Sequence, residues 1–293
     1  MVAMQADYAP LFGWIKEREQ IRIRKDGGAP QPWTDDPILA AYRFCNVRRE
    51  DDRVTVWIRQ NIRERYADHP HLWLMLCIAR QINWPPTLEH LMATGAWPGS
   101  DNFDFAPAMT RELNDWQARG QKVYTGAYMI SAPSKKGQNK QEYIAETVIG
   151  ALWERRRTFS WSAIGADRRS LRRTHEWLTR SNGWGPFMAY QAVVDMRFTA
   201  LLRDAEDVHL WAAAGPGTIR GLNRLHGRAV EYPLKQGQAL SEMRAIYGVV
   251  QQETGVAMDF SDVPNILCET DKYLRVKLGQ GKPRALYVAG RGS

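Results

Sequence analysis

Cysteine is scarce in this sequence. Cys45, Cys77 and Cys268 are the only three in 293 residues. An odd number at wide spacing excludes a fully paired disulfide framework, and a reduced, cytosolic protein is the expectation. No C-x-x-C pair occurs, and no H-x-E precedes a P-C-x-x-C, so the zinc deaminase arrangement is missing. No G-x-x-x-x-G-K-[ST] run occurs either, which argues against a P-loop kinase. His69 and His71 in "HPH" are too weak a metal signal alone, and no metal site is assigned. Long apolar runs are absent as well. The longest, "LWLMLCIA" at Leu72 to Ala79, ends at Arg80, well short of the ~20 residues that span a bilayer, and reads as a buried helix. The opening "MVAMQADYAPLFGW" lacks the basic-then-apolar order of a signal peptide, so no membrane association is expected.

Positive charge and tryptophan are plentiful. Forty Lys and Arg against 32 Asp and Glu give a net charge of +8, which favours a polyanionic partner. Arginine can grip phosphate with a planar fork of donors. Twelve tryptophans serve mainly as core, with base stacking as the alternative use. Hydrophobic residues at 44% suffice for a substantial core.

Apolar spacing is helical along most of the chain. "WTDDPILAAYRF" offers Thr34 or Asp35 as a cap. "DDRVTVWIRQNIRERY", "TLEHLMATG", "PAMTRELNDWQARG", "RRSLRRTHEWLTR" and "GPFMAYQAVVDMRFTALL" follow as helices, with Gly95 and Gly120 as stops and Pro186 in a first turn. A break at "KVYTGAYMISAPSKKGQNK" reads as a short strand and then a basic loop at Pro133 to Lys140. The expected fold is therefore all-α with at most a small strand segment. Residues 1–31 form an N-terminal extension, 32–278 one helical domain, and 279–293 a basic tail. Two helical lobes meeting near 120–140 are the variant of that organisation.

Three stretches carry chemistry. In "VPNILCETDKYLRVKL", Val263, Leu267, Asp271, Leu274 and Leu278 share one helical face, so a carboxylate interrupts an apolar stripe beside Glu269 and Lys272. A general base is one use of such a group, and an ion pair with Arg275 is the other. In "GPGTIRGLNRL", a turn through Gly215 and Gly217 leads into a helix bearing Arg220 and Arg224 one turn apart. That suits a DNA phosphate, as in a helix-hairpin-helix element; an ordinary helix–helix turn is the alternative. Between 43 and 53 lie Arg43, Asn46, Arg48, Arg49, Asp52 and Arg53. Arginines there suit a cluster of phosphate oxygens and Asn46 a base edge, against the alternative of a solvated charge run. The eight arginines between Ala151 and Arg180 could track a DNA backbone or form a solvated face.

Taken with "GPFMAYQAVVD", the stretches "YRFCNVRREDDRV", "GPGTIRGLNRL" and "NILCETDKYLR" make the chain resemble the phage amino acid:DNA transferases, also described as α-glutamyl/putrescinyl-thymine pyrophosphorylases. The resemblance runs from about Pro32 to Lys277. It implies a helical scaffold distantly related to the helix-hairpin-helix DNA glycosylases. In that pattern "DKYLRV" brings Arg275 one position early, and Gly221 stands near the place of the lysine of bifunctional glycosylases.

The resemblance also implies a reaction. Pyrophosphate on 5-(pyrophosphoryloxymethyl)uracil in DNA is displaced by the amine of an amino acid or polyamine, and a C–N bond forms at the methylene carbon. The partners are then double-stranded phage DNA and a free amine, in the cytoplasm of the infected host. Enclosing the target carbon calls for base flipping. Arg43, Arg48, Arg49 and Arg53 are the expected clamp for the leaving pyrophosphate, with Lys135 and Lys136 closing over it. Asp271 is the first expected base, ahead of Glu269, with Lys272 beside them. Gln191 is placed at the pyrimidine edge, and Asp195 at a cation or the amine. No cofactor is assigned, and Mg2+ is the one candidate to assist the leaving group. A DNA glycosylase and a non-catalytic DNA-binding module are the alternatives.

Overall fold

A computed structural model describes residues 6–99, 104–125, 137–158, 169–283 and 286 of the chain. The described residues are helical, with no strand beyond one isolated antiparallel bridge between Tyr42 and Leu286. In chain order the helices are α1 (Ala9–Asp26), α2 (Pro37–Ala41), α3 (Arg53–Ile58), α4 (Leu72–Ile82), α5 (Pro85–Ala93), α6 (Phe105–Ala118), α7 (Lys140–Glu142), α8 (Gly150–Glu154), α9 (Leu171–Thr179), α10 (Pro186–Arg197), α11 (Pro216–Leu225), α12 (Gln236–Thr254) and α13 (Val263–Lys277). The chain divides into two compact units: Met1–Arg53 with His209–Ser293, and Val54–Val208. The division thus falls at 53/54 and 208/209, not near 120–140, and α1 occupies the segment that patterning sets aside as an extension.

In the unit Val54–Val208, α4 is buried along its whole length, as its apolar run predicts. It ends at Asn83, whose φ of 48° is a left-handed conformation that asparagine tolerates better than most side chains. Arg80 lies within that buried helix, so its charge needs compensation. Asp195 on α10 supplies it, accepting from Nε at 2.5 Å and Nη2 at 2.7 Å, while Thr55 Oγ1 accepts a third bond at 3.0 Å. Helix α9 starts at Ser170, whose Oγ accepts from the Arg173 N–H at 3.2 Å. Asp207 accepts from Leu171 and Arg172 N–H at the same helix end, where negative charge is favoured. Gly95 and Gly120 lie beyond α5 and α6 with φ of +75°, the stop geometry expected of them. The expected strand falls partly on 126–130, outside the described residues, and 121–125 form none.

In the other unit, α13 is the central element and packs against α1, α2, α11 and α12. A short 3-10 turn, Phe260–Asp262, leads into it, capped by Asp259. Helices α11 and α13 make the most extensive pairing, and glycine is the reason. A Cβ on Gly221 would lie 2.3 Å from the Leu267 carbonyl oxygen, and one on Gly217 would lie 2.4 Å from Cys268 Sγ. The Thr218 hydroxyl donates to the Pro264 carbonyl at 3.0 Å across the same seam. The buried stripe of α13 includes Val263, Leu267, Asp271 and Leu274 but ends there, because Leu278 lies past the last turn and is 58% exposed. The cap of α2 is Asp36, which accepts from the Ile38 and Leu39 N–H groups, in place of the expected Thr34 or Asp35. No helix reaches Val47: α2 stops at Ala41 and Arg48 is still extended before the 3-10 turn Arg49–Asp51.

Two glycine substitutions should separate packing from propensity. Gly221→Ala forces α11 from α13 and should cost about 1–3 kcal/mol or more. Gly248→Ala, in α12 with open space around its Cβ position, should gain about 0.5–1 kcal/mol. Urea midpoints of the two variants should move in opposite directions from the wild-type value.

Candidate functional site

Asp271 is 2% exposed and faces α11. Its Oδ2 accepts from Arg220 Nε at 2.9 Å and its Oδ1 from Arg224 Nε at 2.7 Å. Both oxygens are thus occupied by arginines, and neither belongs to Arg275. A carboxylate held this way has both oxygens engaged within the protein. It positions Arg220 and Arg224, and the latter also donates to Gln280 Oε1 at 2.8 Å. Gly215 caps α11, but Gly217 and Gly221 serve close helix packing.

Glu269 turns the other way. Two residues along a helix rotate a side chain by about 200°, so Asp271 and Glu269 leave α13 on nearly opposite sides. Glu269 Oε2 accepts from the Cys45 N–H at 3.0 Å and from Lys272 Nζ at 2.7 Å. The Lys272 ammonium also lies 4.5 Å from the Phe44 ring centroid. Asn265, one turn earlier on α13, donates to the Asn46 carbonyl at 3.1 Å. The face of α13 opposite Asp271 therefore fixes the extended segment 44–46.

That segment borders a cleft of about 490 Å³ within Met1–Arg53. Trp33, Tyr42 and Phe44 give it aromatic walls, and Arg18, Arg22, Lys25, Arg43 and Arg53 give it positive charge. Asp26, Asp51 and Asp52 are its carboxylates. Three of these charges, Arg22, Asp26 and Asp51, sit in ion pairs. Arg22 donates to Glu19 and Asp26, and Arg48 bridges Glu19 at 3.1 Å and Asp51 at 2.8 Å. Burial works to raise the Glu19 carboxyl, but the Arg22 hydrogen bond and the charges of Arg48, Arg22 and Arg18 outweigh it and hold it low. Arg48 is therefore a brace between α1 and the turn 49–51, not a clamp lining the cleft. Arg49 is buried, its N–H donates to Asp262 at 2.9 Å, and it does not line the cleft. Arg43 and Arg53 differ: both are exposed on the cleft and carry no ion pair among the described residues.

Asn46 and Asp52 do line the cleft. Arg18 on α1 donates to Asn46 Oδ1 at 2.6 Å and to the Cys45 carbonyl at 3.0 Å. Asn46 Nδ2 donates to the Asp51 carbonyl at 2.7 Å, and its N–H donates to Asp52 Oδ1 at 3.0 Å. Asp52 is half-buried by exposed area yet closely surrounded by protein. Burial pushes its carboxyl up to about 6, against the Asn46 N–H and the charges of Arg49 and Arg18, which lower it. Arg18, Arg22 and Lys25 are the cleft residues that sequence reasoning missed. The i, i+4, i+7 spacing of those three on one helix was the available signal.

The remaining expected residues lie elsewhere. Gln191 and Asp195 are buried on α10 in the unit Val54–Val208, and Asp195 neutralises Arg80. That buried pair explains why a carboxylate occurs in "AYQAVVD". Lys135 and Lys136 lie outside the described residues. In the arginine-rich stretch, Arg173 pairs with Glu206 at 3.0 Å, and Arg155 lies over the Trp177 ring at 4.6 Å. No group of three or more His, Cys, Asp or Glu side chains forms a metal cluster among the described residues. No helix among them is long and apolar enough to cross a membrane.

Fold and site together define an all-helical protein with a cationic, aromatic-walled cleft. A family model described as "5-hmdU DNA kinase, helical domain" matches residues 6–282, and the chain belongs to that family. A 5-hmdU DNA kinase of Bacillus phage SP10 is 26% identical over 227 residues, covering 71% of this chain and 34% of that protein. The chain thus spans about a third of the length of this curated relative. No solved structure matches. The match places the chain in phage thymine hypermodification, the coarser part of the resemblance read from the sequence.

Asp271→Asn tests the positioning role. Losing the charge leaves Arg224 largely buried without a counter-charge, and stability should fall toward the lower end of the ~3–5 kcal/mol typical of a broken buried pair. Chemical denaturation measures this directly. Wild-type stability in the variant would show that the two arginines do not depend on Asp271.

Proposed function

We propose that the chain is a DNA base-modifying transferase that replaces pyrophosphate on 5-(pyrophosphoryloxymethyl)uracil with the amine of an amino acid or polyamine. The observation that carries the reading is the cleft of Met1–Arg53, with flat aromatic walls and, at its edge, Arg43 and Arg53, which have no ion pair among the described residues. Aromatic walls suit a base turned out of the duplex, and exposed guanidinium groups suit a departing diphosphate. Family membership supports the same substrate chemistry, since the relative is named as a kinase of 5-hmdU in DNA. A kinase of that kind produces a phosphorylated base, and a transferase of this kind consumes one.

On this reading Arg43 and Arg53 hold the pyrophosphate, and Asn46 reads the base edge. The α11 side takes the DNA backbone. Asp271 fixes Arg220 and Arg224 by their Nε atoms, and Arg220 has no further partner for its terminal nitrogens among the described residues. The Gly215–Gly217 turn lies at the N-terminus of the same helix, where phosphate is favoured. The reaction would take place in the cytoplasm of an infected host. A second reading, a DNA-binding module without chemistry of its own, is favoured by the match to one domain of a longer kinase.

One assay separates the two. Protein, DNA bearing 5-(pyrophosphoryloxymethyl)uracil and a mixture of glycine, serine, glutamate and putrescine are incubated, and the digested nucleosides are weighed by mass spectrometry. An amine adduct is expected. Unchanged nucleosides despite tight DNA binding would favour the module. Arg43→Ala and Arg53→Ala should each weaken binding of pyrophosphorylated DNA about tenfold, with smaller losses on unmodified DNA. Equal losses on both DNAs would mark them as ordinary backbone contacts.

A further inference from the structure

Of the three carboxylates in the cleft, two are neutralised by neighbours. Asp26 accepts from Arg22 at 3.0 Å, and Asp51 accepts from Arg48 at 2.8 Å with Arg22 Nε 3.4 Å away. Asp52 has no ion pair among the described residues. Its Oδ1 is taken by the Asn46 N–H, and its Oδ2 has no hydrogen-bond donor among them. The backbone around it is held from both sides. Arg18 fixes Asn46 from α1, and Asn265 and Glu269 fix the segment 45–46 from α13. Among the described residues, one oxygen of a firmly seated carboxylate is thus left without a hydrogen-bond donor, on a cleft that Arg43 and Arg53 also line.

We propose that Asp52 is the proton acceptor of the cleft, its Oδ2 taking a proton from the ammonium group of the incoming amine. The inference rests on the transferase reading above. One N–H bond of the ammonium breaks and an O–H bond forms at Asp52. The freed nitrogen lone pair then makes the C–N bond at the methylene carbon. The C–O bond to pyrophosphate breaks, and its electron pair leaves on the pyrophosphate oxygen. The DNA carries a secondary ammonium, and the proton on Asp52 passes to the released pyrophosphate, which restores the carboxylate. The groups that act on Asp52 electrostatically fit this role. Arg18 and Arg49 favour its charged form, Glu269 opposes it, and Cys45 lies in the same field. Burial dominates and pushes the carboxyl up to about 6, close to the range in which a general base is effective at neutral pH. Asp271 has two arginines on its oxygens, and Glu269 has Lys272 and a backbone N–H on one of its own.

The test compares wild type, Asp52→Asn and Asp52→Glu. Adduct formation on pyrophosphorylated DNA with glycine or putrescine is followed from pH 5 to pH 9, and DNA affinity is read by fluorescence anisotropy. Wild-type kcat/KM for the DNA should fall as pH drops through about 6, where Asp52 of the free protein takes up its proton. Asp52→Asn keeps an oxygen for the Asn46 N–H, so it should bind the DNA within about threefold of wild type. Its rate should fall about 100-fold or more, with the acid limb gone. Asp52→Glu should restore part of the rate with a displaced limb. An Asp52→Asn protein with the wild-type rate and limb overturns the assignment. Should Asp52→Asn fail to fold, an Asp52→Glu protein indistinguishable from wild type in rate and limb overturns it equally. Wild-type protein that makes no adduct at any pH overturns the transferase reading, and the role of Asp52 with it. An adduct made equally well without the carboxylate overturns only the latter.

Discussion

The close approach of α11 to α13 is the constraint on which the site depends. A lone carboxylate at the position of Asp271 would be costly to bury, and its two counter-charges come from a neighbouring helix. That helix reaches it because Gly217 and Gly221 leave no side chain between the backbones. The contact also fixes the rotation of α13 about its axis. With Asp271 directed at α11, the helical repeat directs Glu269 to the opposite side, onto the Cys45 N–H. One seam therefore sets where the segment 44–46 lies and, through Asn46, where the Asp52 carboxylate sits.

Pairing decides which of the many arginines are available for ligand. Arg22 and Arg48 share Glu19, Asp26 and Asp51 in a network that ties α1 to the turn 49–51. Such pairs hold geometry, and partly exposed ones contribute little energy individually. Arg220 and Arg224 are oriented by Asp271. Arg43 and Arg53 are left over, at the two ends of the segment that patterning singles out. Net charge alone makes every arginine a candidate for phosphate; the ion pairs of Arg22 and the hydrogen bonds of Arg18 to Asn46 and the Cys45 carbonyl leave Arg43 and Arg53 as the cleft's exposed candidates.

Much of this architecture is legible in the sequence. The helical spacing, the buried run of α4, the stops at Gly95 and Gly120 and the burial of Asp271 all follow from local pattern. What local pattern misses depends on long-range partners. Asp271 reads as reactive because its counter-charges lie 51 and 47 residues away on α11. Asp195 reads as a ligand because Arg80 lies 115 residues away. Helix α1 escapes notice because its outward face is as charged as a tail, and its contributions at Arg18 and Arg22 appear only when it packs beside 43–53.

The charge of the cleft bears on how the proposed reaction is ordered. Five cationic side chains against three carboxylates leave an empty cleft with a surplus of about two positive charges. An ammonium approaching that cleft is repelled, whereas pyrophosphorylated DNA is attracted. A single phosphoryl group carries about −1.5 to −2 at neutral pH, and a second adds more, enough to reverse the surplus. Once the DNA is seated, the same cleft attracts the ammonium and stabilises its charge. The proton must then leave the amine inside a pocket that has become anionic, and anionic surroundings raise an amine's pKa. An acceptor within the cleft answers that difficulty better than solvent, because the pyrophosphate that hinders deprotonation also raises the proton affinity of the Asp52 carboxylate. Electrostatics thus orders the steps: DNA first, amine second, proton transfer third, with departure of pyrophosphate restoring the cationic cleft for the next turnover.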